Sequence, residues 1–236
     1  MELTEVMAEL ERLGTAQTRK TFMTHGAPSQ LFGVKIGDLK KYLVKKVKGQ
    51  QDLCLALFAT GNTDAQYLAG LGINPAAMTK VQLELWLKQS NWSAINEAIV
   101  AGVTAESPFA LELGEKWLRS SDPIVANTGW ATYGKWLALA PAEDISLTEV
   151  SQLLALVKEE IHTAPNALRY NMNQFIIYVG SYCPELTTLA LETAKEIGDI
   201  EITLATKGCH LPDPITKIQK VITNNKVGVK RKRVIC

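Results

Sequence analysis

The residues best suited to chemistry lie in one short stretch, Asn91 to Ala101, which reads NWSAINEAIVA. Helical spacing puts Trp92, Ile95, Asn96 and Ile99 at i, i+3, i+4 and i+7, so an amide shares a stripe with an indole and two branched aliphatics. An amide in that position either finds hydrogen-bond partners or costs about 1–3 kcal/mol. Two roles satisfy it: a core Asn that ties two helices together, or a residue that faces a ligand groove. The stripe taken alone fits the packing role better.

The elements that must position this stretch read as helix after helix. Thr15 to His25 is helical in pattern, Gly26 to Val34 makes a loop, and Lys35 to Lys48 returns to helix with Ile36, Leu39, Leu43 and Val47 on one side. Thr79 with Gln82, and Ser146 with Glu149, are capping-box signatures. Ser107-Pro108, Asp122-Pro123 and Asp213-Pro214 each set a capping residue before a proline suited to the first helical position. Strand evidence is confined to a short alternating piece, Ile200 to Leu204. Short loops and the absence of a Gly-rich strand-to-helix turn predict an all-α fold. Helix pairs recur at roughly 35 to 45 residues, as in Lys80 to Val103 and then Pro108 to Leu139, which is near the HEAT-type period. Stacked pairs of this kind form an α-solenoid with a long concave face. The expected organisation is one domain over residues 1–225, a basic tail over 226–236, and a monomer.

With 47% hydrophobic and 21% charged residues, the chain reads as globular and long enough to bury a sizeable core. No run approaches the roughly 20 apolar residues that span a bilayer, and the acidic, amphipathic N-terminus is unlike a secretory signal. A cytoplasmic location follows as the expectation. Cys54, Cys183, Cys209 and Cys236 are scattered without a CxxC, which points to free thiols and to no metal. The neighbours Cys209 and His210 make a poor metal pair, and no cofactor is expected.

A net charge of +1 hides an uneven distribution. From Thr15 to Lys48 eight basic residues face Asp38 alone; from Lys80 to Glu160 six basic residues face eleven acids; the end is basic again at Lys226, Lys230, Arg231, Lys232 and Arg233. Two basic regions around an acidic middle suit a polyanion. Lys40 and Lys41 follow one turn into the Lys35 helix. Arg169 and Asn173 lie at i, i+4, a spacing that lets both meet one phosphate or one backbone carbonyl. The run Lys230 to Arg233 reads as a mobile end that adds sequence-independent affinity. Trp86, Trp117, Trp130 and Trp136 sit in helical stripes and read as core.

LFGVKIGDLKKYLVK (Leu31 to Lys45), NWSAINEAIVAGVTAES (Asn91 to Ser107), IVANTGWATYGKW (Ile124 to Trp136) and the run from Arg169 to Glu201, followed by KGCHLPDPITKIQK and the basic end, resemble the bacterial DNA alkylation repair proteins built from HEAT-like repeats. The resemblance covers most of the chain, in order. It implies a solenoid with a basic concave face that grips double-stranded DNA, damaged or distorted, and members that hydrolyse the glycosidic bond of N3- or N7-alkylated purines. It also implies that Gly33 and Lys35 open a helix whose free amides and dipole meet a phosphate. In active members a Trp begins the motif and an Asp follows four residues later, with an Arg and a second Trp on later repeats. Here Trp92 matches the first Trp, Asn96 stands at the Asp position, Asn127, Thr128 and Gly129 occupy the Arg region, and the second Trp falls near Ile177.

The Asn matters most, because an amide supplies no negative charge to steady an oxocarbenium-like sugar. Losing one such group costs roughly 10² to 10³ in rate. Glu97 is the nearest carboxylate, but one residue along a helix turns a side chain about 100° away. The expectation is a DNA-binding repair scaffold with weak or absent glycosylase activity. The alternatives are an active alkylpurine glycosylase and a protein-interaction solenoid.

Overall fold

A computed structural model describes residues 1–203 and 210–235. Leu204, Cys209 and Cys236, on which some of the sequence expectations fall, lie outside the described residues. Among those residues the chain is helical and contains no strand, and no helix is long and apolar enough to cross a membrane. Where one continuous domain is expected, the chain divides into two compact units: Met1–Phe109 together with Ile235, and Ala110–Val234.

In the first unit the helices are Leu3–Leu13, Ala16–Thr24, 36–47, Gln51–Ala59, Thr63–Gly72, Lys80–Gln89 and 93–105. The helices at 36–47 and 93–105 each contain one turn of wider, π-type winding, at Leu39–Leu43 and Asn96–Val100. The core is apolar and aromatic, with Phe58 and Trp86 stacked at 4.0 Å between ring centroids. Gly70 lets 93–105 lie close to Thr63–Gly72, since a Cβ there would stand 2.2 Å from Ile99 Cγ2. The Thr79 capping box forms in both directions, Gln82 N to Thr79 Oγ1 at 3.2 Å and Thr79 N to Gln82 Oε1 at 2.9 Å.

The second unit holds Ala110–Leu118, Pro123–Leu137, Leu147–Glu160, Asn166–Tyr182, Thr187–Ile197 and Pro214–Thr223. Pro123–Leu137 packs against both Ala110–Leu118 and Asn166–Tyr182. Trp130 and Tyr133 meet Phe175 edge-on in the core. Trp86, Trp117 and Trp130 are buried and Trp136 is half-buried, so these indoles are structural. Asp122 and Asp213 cap their helices as their proline neighbours predict, Asp122 accepting from Ile124 and Val125, Asp213 from Ile215 and Thr216.

Three expectations change. Ser146 accepts from Glu149 N, but the Glu149 carboxylate turns to Arg119 at 3.4 Å, so only half of that capping box exists. The helix after Ser107-Pro108 begins at Ala110, and Ser107 closes a turn by accepting from Phe109 N and donating to Thr104 O. The alternating piece forms no strand over its described residues, Ile200 to Thr203, because the Asn166 side-chain amide bonds both the N–H and the C=O of Thr203, at 2.7 and 2.8 Å.

The basic end is likewise not a mobile tail. Lys230 Nζ donates to the carbonyls of Leu137 and Tyr182 at 2.8 and 2.9 Å, and Arg231 donates from its amide to Ala138 O and from Nε to Tyr182 Oη. Burial pushes the Lys230 ammonium below its ordinary pKa. Ile235 is buried in the first unit beside Gly102, and its amide donates to Glu106 Oε1 at 3.0 Å. The thiols of Cys54 and Cys183 are buried, which pushes them up to about 12 and about 11.

Gly129 provides a direct test of the packing between Ala110–Leu118 and Pro123–Leu137. A Cβ at Gly129 would stand 2.1 Å from the backbone N of Leu118, a contact that no rotamer relieves. Gly129→Ala is expected to cost about 3 kcal/mol, the upper range for overpacking, and to lower the thermal midpoint by roughly 6–12 °C. An unchanged midpoint in a calorimetric scan would mean that the two helices do not lie this close.

Candidate nucleic-acid interface

The helix 36–47 buries Leu39, Leu43 and Val47 at intervals of four and leaves Lys40, Lys41, Lys45 and Lys46 exposed, with Lys35 before it and Lys48 after it also exposed. Lys41 Nζ lies 4.7 Å from the centroid of the exposed Tyr42 ring, and the Tyr42 side chain beside it raises the Lys41 pKa. These side chains form a basic surface held by an apolar anchor, which suits backbone phosphates.

The loop leading into this helix is fixed from below. Asp64, 2% exposed, accepts from the amides of Phe32 (2.7 Å), Gly33 (2.9 Å) and Val34 (2.9 Å). Arg19 adds bonds from Nε to Leu31 O and from Nη2 to Ser29 O. Gly33 is required by its φ of +83° and by the Arg19 backbone, 2.4 Å from any Cβ it might carry. The expectation that Gly33 offers a free amide to a phosphate is therefore corrected: a buried carboxylate holds it.

Trp92 does not lie on the stripe with Asn96. It precedes the helix in extended conformation (φ −146°, ψ 136°), its indole N–H donates to His25 O at 2.9 Å, and its ring lies 5.5 Å from Phe22. Asn96, 3% exposed, opens the π turn, and its buried Oδ1 has no hydrogen-bond partner. Glu97 is half-buried on the next position. Beside Trp92 is an apolar cavity of about 170 Å³, bordered by Phe22, Ile36, Leu39, Thr63, Tyr67 and Ala98 among others. Nothing in the sequence spacing joins Thr63 and Tyr67 to Trp92, because the three meet only through tertiary packing.

In the second unit, Arg169 and Asn173 hold chain segments. Arg169 donates to Ala164 O at 2.8 Å and Glu201 O at 2.5 Å, and Asn173 Nδ2 donates to Pro212 O at 2.8 Å. Both hold backbone carbonyls, but different ones, so the i, i+4 spacing does not bring them onto one group. The stretch expected to match the Arg region is packed in the interior: Asn127 and Asn171 pair at 2.8 Å, Thr128 is buried, and Gly129 touches the neighbouring helix. Ile177 is half-buried. Lys232 and Arg233 are exposed, while Lys230 and Arg231 are held as described. Among the described residues no group of three or more His, Cys, Asp or Glu could hold a metal ion.

Residues 6–206 match the family described as DNA alkylation repair enzyme. The chain belongs to that family. Among its curated relatives, an uncharacterized protein of Listeria monocytogenes is 33% identical over 92% of this chain and 96% of its own length, and an uncharacterized protein of Listeria innocua is 33% identical over 90% and 93%. A solved structure, presented as a new family of proteins related to the HEAT-like repeat DNA glycosylases with affinity for branched DNA structures, superposes with a TM-score of 0.90 at 34% identity over the whole of both chains. This member of the DNA alkylation repair family thus has the HEAT-like repeat fold.

Proposed function

We propose that this DNA alkylation repair family member binds branched or distorted double-stranded DNA through its phosphate backbone and has little or no glycosylase activity. The observation that carries the reading is the whole-length likeness to a protein with affinity for branched DNA. The exposed lysines of 36–47 supply the charge, with Lys35, Lys40 and Lys41 the foremost contacts and Lys232 and Arg233 a second, exposed group. Trp92 is committed to His25 and Phe22, Asn96 brings no charge, and the Arg region is filled by Asn127, Thr128 and Gly129. Without a carboxylate and a cation beside the sugar, the chemistry lacks its largest electrostatic contribution. Family membership keeps the glycosylase as the second reading, with Glu97 the carboxylate nearest to the motif position.

One experiment separates the two. Single-turnover release of 7-methylguanine from duplex DNA is expected to match spontaneous loss, while the same preparation binds a branched junction with an affinity that falls steeply with salt, by about 0.9 in log-log slope per phosphate contacted. Release above the spontaneous rate, abolished by Glu97→Gln, would establish the glycosylase instead. Affinity that does not change between low and moderate salt would reject backbone recognition.

A further inference from the structure

We infer that Tyr42 stacks on a base left uncovered at the branch point of branched DNA and so sets the preference for a branch over a continuous duplex. The inference rests on the DNA-binding reading above and adds the residue that reads the branch. Among the described residues Tyr42 is the one Phe, Tyr or Trp that stands exposed, at 41%. The other rings serve the interior, as Phe58 against Trp86 and Trp130 against Phe175 do, or are half-buried. Tyr42 anchors nothing: Leu39, Leu43 and Val47 seat the helix 36–47, and the ring contact that Tyr42 makes is with Lys41 Nζ.

The winding of the helix puts the ring there. In regular α-helical winding a residue three places after Leu39 lies beside it, on the flank of the apolar stripe. The π-type turn Leu39–Leu43 is wider, so the same step turns Tyr42 away from that flank while Leu39 and Leu43 stay buried at 1% and 0%. Lys40 and Lys41 precede the ring and Lys45 and Lys46 follow it, all exposed. Tyr42 therefore stands inside the positive surface.

A ring among cations reads nucleic acid differently from the cations alone. Lysines meet phosphates, which every duplex offers, so they supply affinity with no preference for a branch. A flat ring needs the face of a base, and inside a continuous duplex those faces are covered by stacking and pairing. A branch leaves some of them uncovered, and stacking on one is sequence-tolerant because every base has a π-face. Lys41 Nζ, 4.7 Å from the ring centroid, sets a phosphate contact directly beside the stacking ring.

The test uses the full-length protein, a fluorescent three-way junction with unpaired thymidines at the branch, and a continuous duplex of the same length. Tyr42→Ala is expected to bind the junction about tenfold more weakly than wild type, the scale of a single base–aromatic stack, and to leave duplex affinity within about twofold. Its salt slope should equal that of wild type, because no charge is removed. Tyr42→Phe keeps the ring and is expected to bind both DNAs as wild type does. The side chain is exposed, so both variants should melt with wild type, and loss of junction affinity cannot be ascribed to unfolding. With 5-bromodeoxyuridine in place of the unpaired thymidines, ultraviolet light is expected to cross-link the wild-type protein at Tyr42, as mass spectrometry of the joined peptide would read. Five results would each overturn the inference while leaving branched-DNA binding in place: equal weakening of junction and duplex in Tyr42→Ala, unchanged junction affinity in that variant, a flattened salt slope in it, an equal loss in Tyr42→Phe, which marks a hydroxyl-to-phosphate contact, or cross-linking at other residues alone. Absence of wild-type affinity for every DNA would overturn both.

Discussion

Reversing the charge of Lys40 and Lys41 together is expected to lower affinity for branched DNA about 100-fold at 0.1 M salt and to flatten the log-log salt slope by about 1.8, the equivalent of two phosphate contacts. The size follows from counterion release. Each contact contributes about 0.9 to the slope, close to a factor of eight at that salt, and a glutamate in place of lysine adds repulsion. The fold should not answer for the loss. Both side chains are exposed, the helix is anchored by Leu39, Leu43 and Val47, and the contact given up is the approach of Lys41 to the Tyr42 ring, worth about 0.5–1 kcal/mol at an exposed site. Anisotropy titrations of wild type and K40E/K41E at three salt concentrations decide it. Unchanged affinity and slope would remove this helix from the interface and favour a surface for a protein partner. A drop in affinity with no change of slope would mean that the lysines act through folding.

Much of this fold is written locally. Thr79 with Gln82, Asp122 with Pro123 and Asp213 with Pro214 start helices where the sequence predicts, because a cap needs partners only two or three residues away. Where the sequence misleads, a distant residue has taken over a group. Arg119 takes the Glu149 carboxylate from its capping box, and Asn166 bonds the backbone of Thr203 where a strand neighbour would have done so. The basic end looks mobile from its composition, yet the carbonyls of Leu137, Ala138 and Tyr182 hold Lys230 and Arg231. Composition reports charge, and only the fold reports which charges have partners.

The candidate site is legible to the extent that its chemistry is local. Exposure of Lys40 and Lys41 opposite Leu39 and Leu43 follows from helical periodicity. The stripe that joins Trp92 to Asn96 does not survive, because the helix starts one residue after Trp92 and then winds through a π turn. The packing role favoured for Asn96 agrees with its 3% exposure, although its Oδ1 lacks the partner that role would supply. Thr63, Tyr67 and Phe22 carry no motif. They meet Trp92 through tertiary packing, with Gly70 letting 93–105 approach Thr63–Gly72, and no spacing rule reaches across some 25 to 70 residues.

Asp64 links the fold to the site, and its removal carries the largest expected cost in stability. A carboxylate 2% exposed that accepts from the amides of Phe32, Gly33 and Val34 makes three charge-assisted bonds, and Asp64→Ala leaves those donors in the interior without a partner. The expected loss is about 4 kcal/mol, within the range for stranding buried partners of a charge. For a chain of this length that lowers the thermal midpoint by roughly 8–16 °C. Asp64→Asn keeps the volume but turns an NH₂ toward one set of donors, so it should recover only part of the loss. Hydrogen exchange localises the effect: the amides of residues 32–34 should lose protection before the core helix Lys80–Gln89 does. A midpoint within about 2 °C of wild type would mean that the loop is held by Arg19 and by packing, with the carboxylate dispensable. The consequence reaches the DNA. Lys35 opens the basic helix, so a loop released from Asp64 should weaken binding of branched DNA even at temperatures where the rest of the chain stays folded.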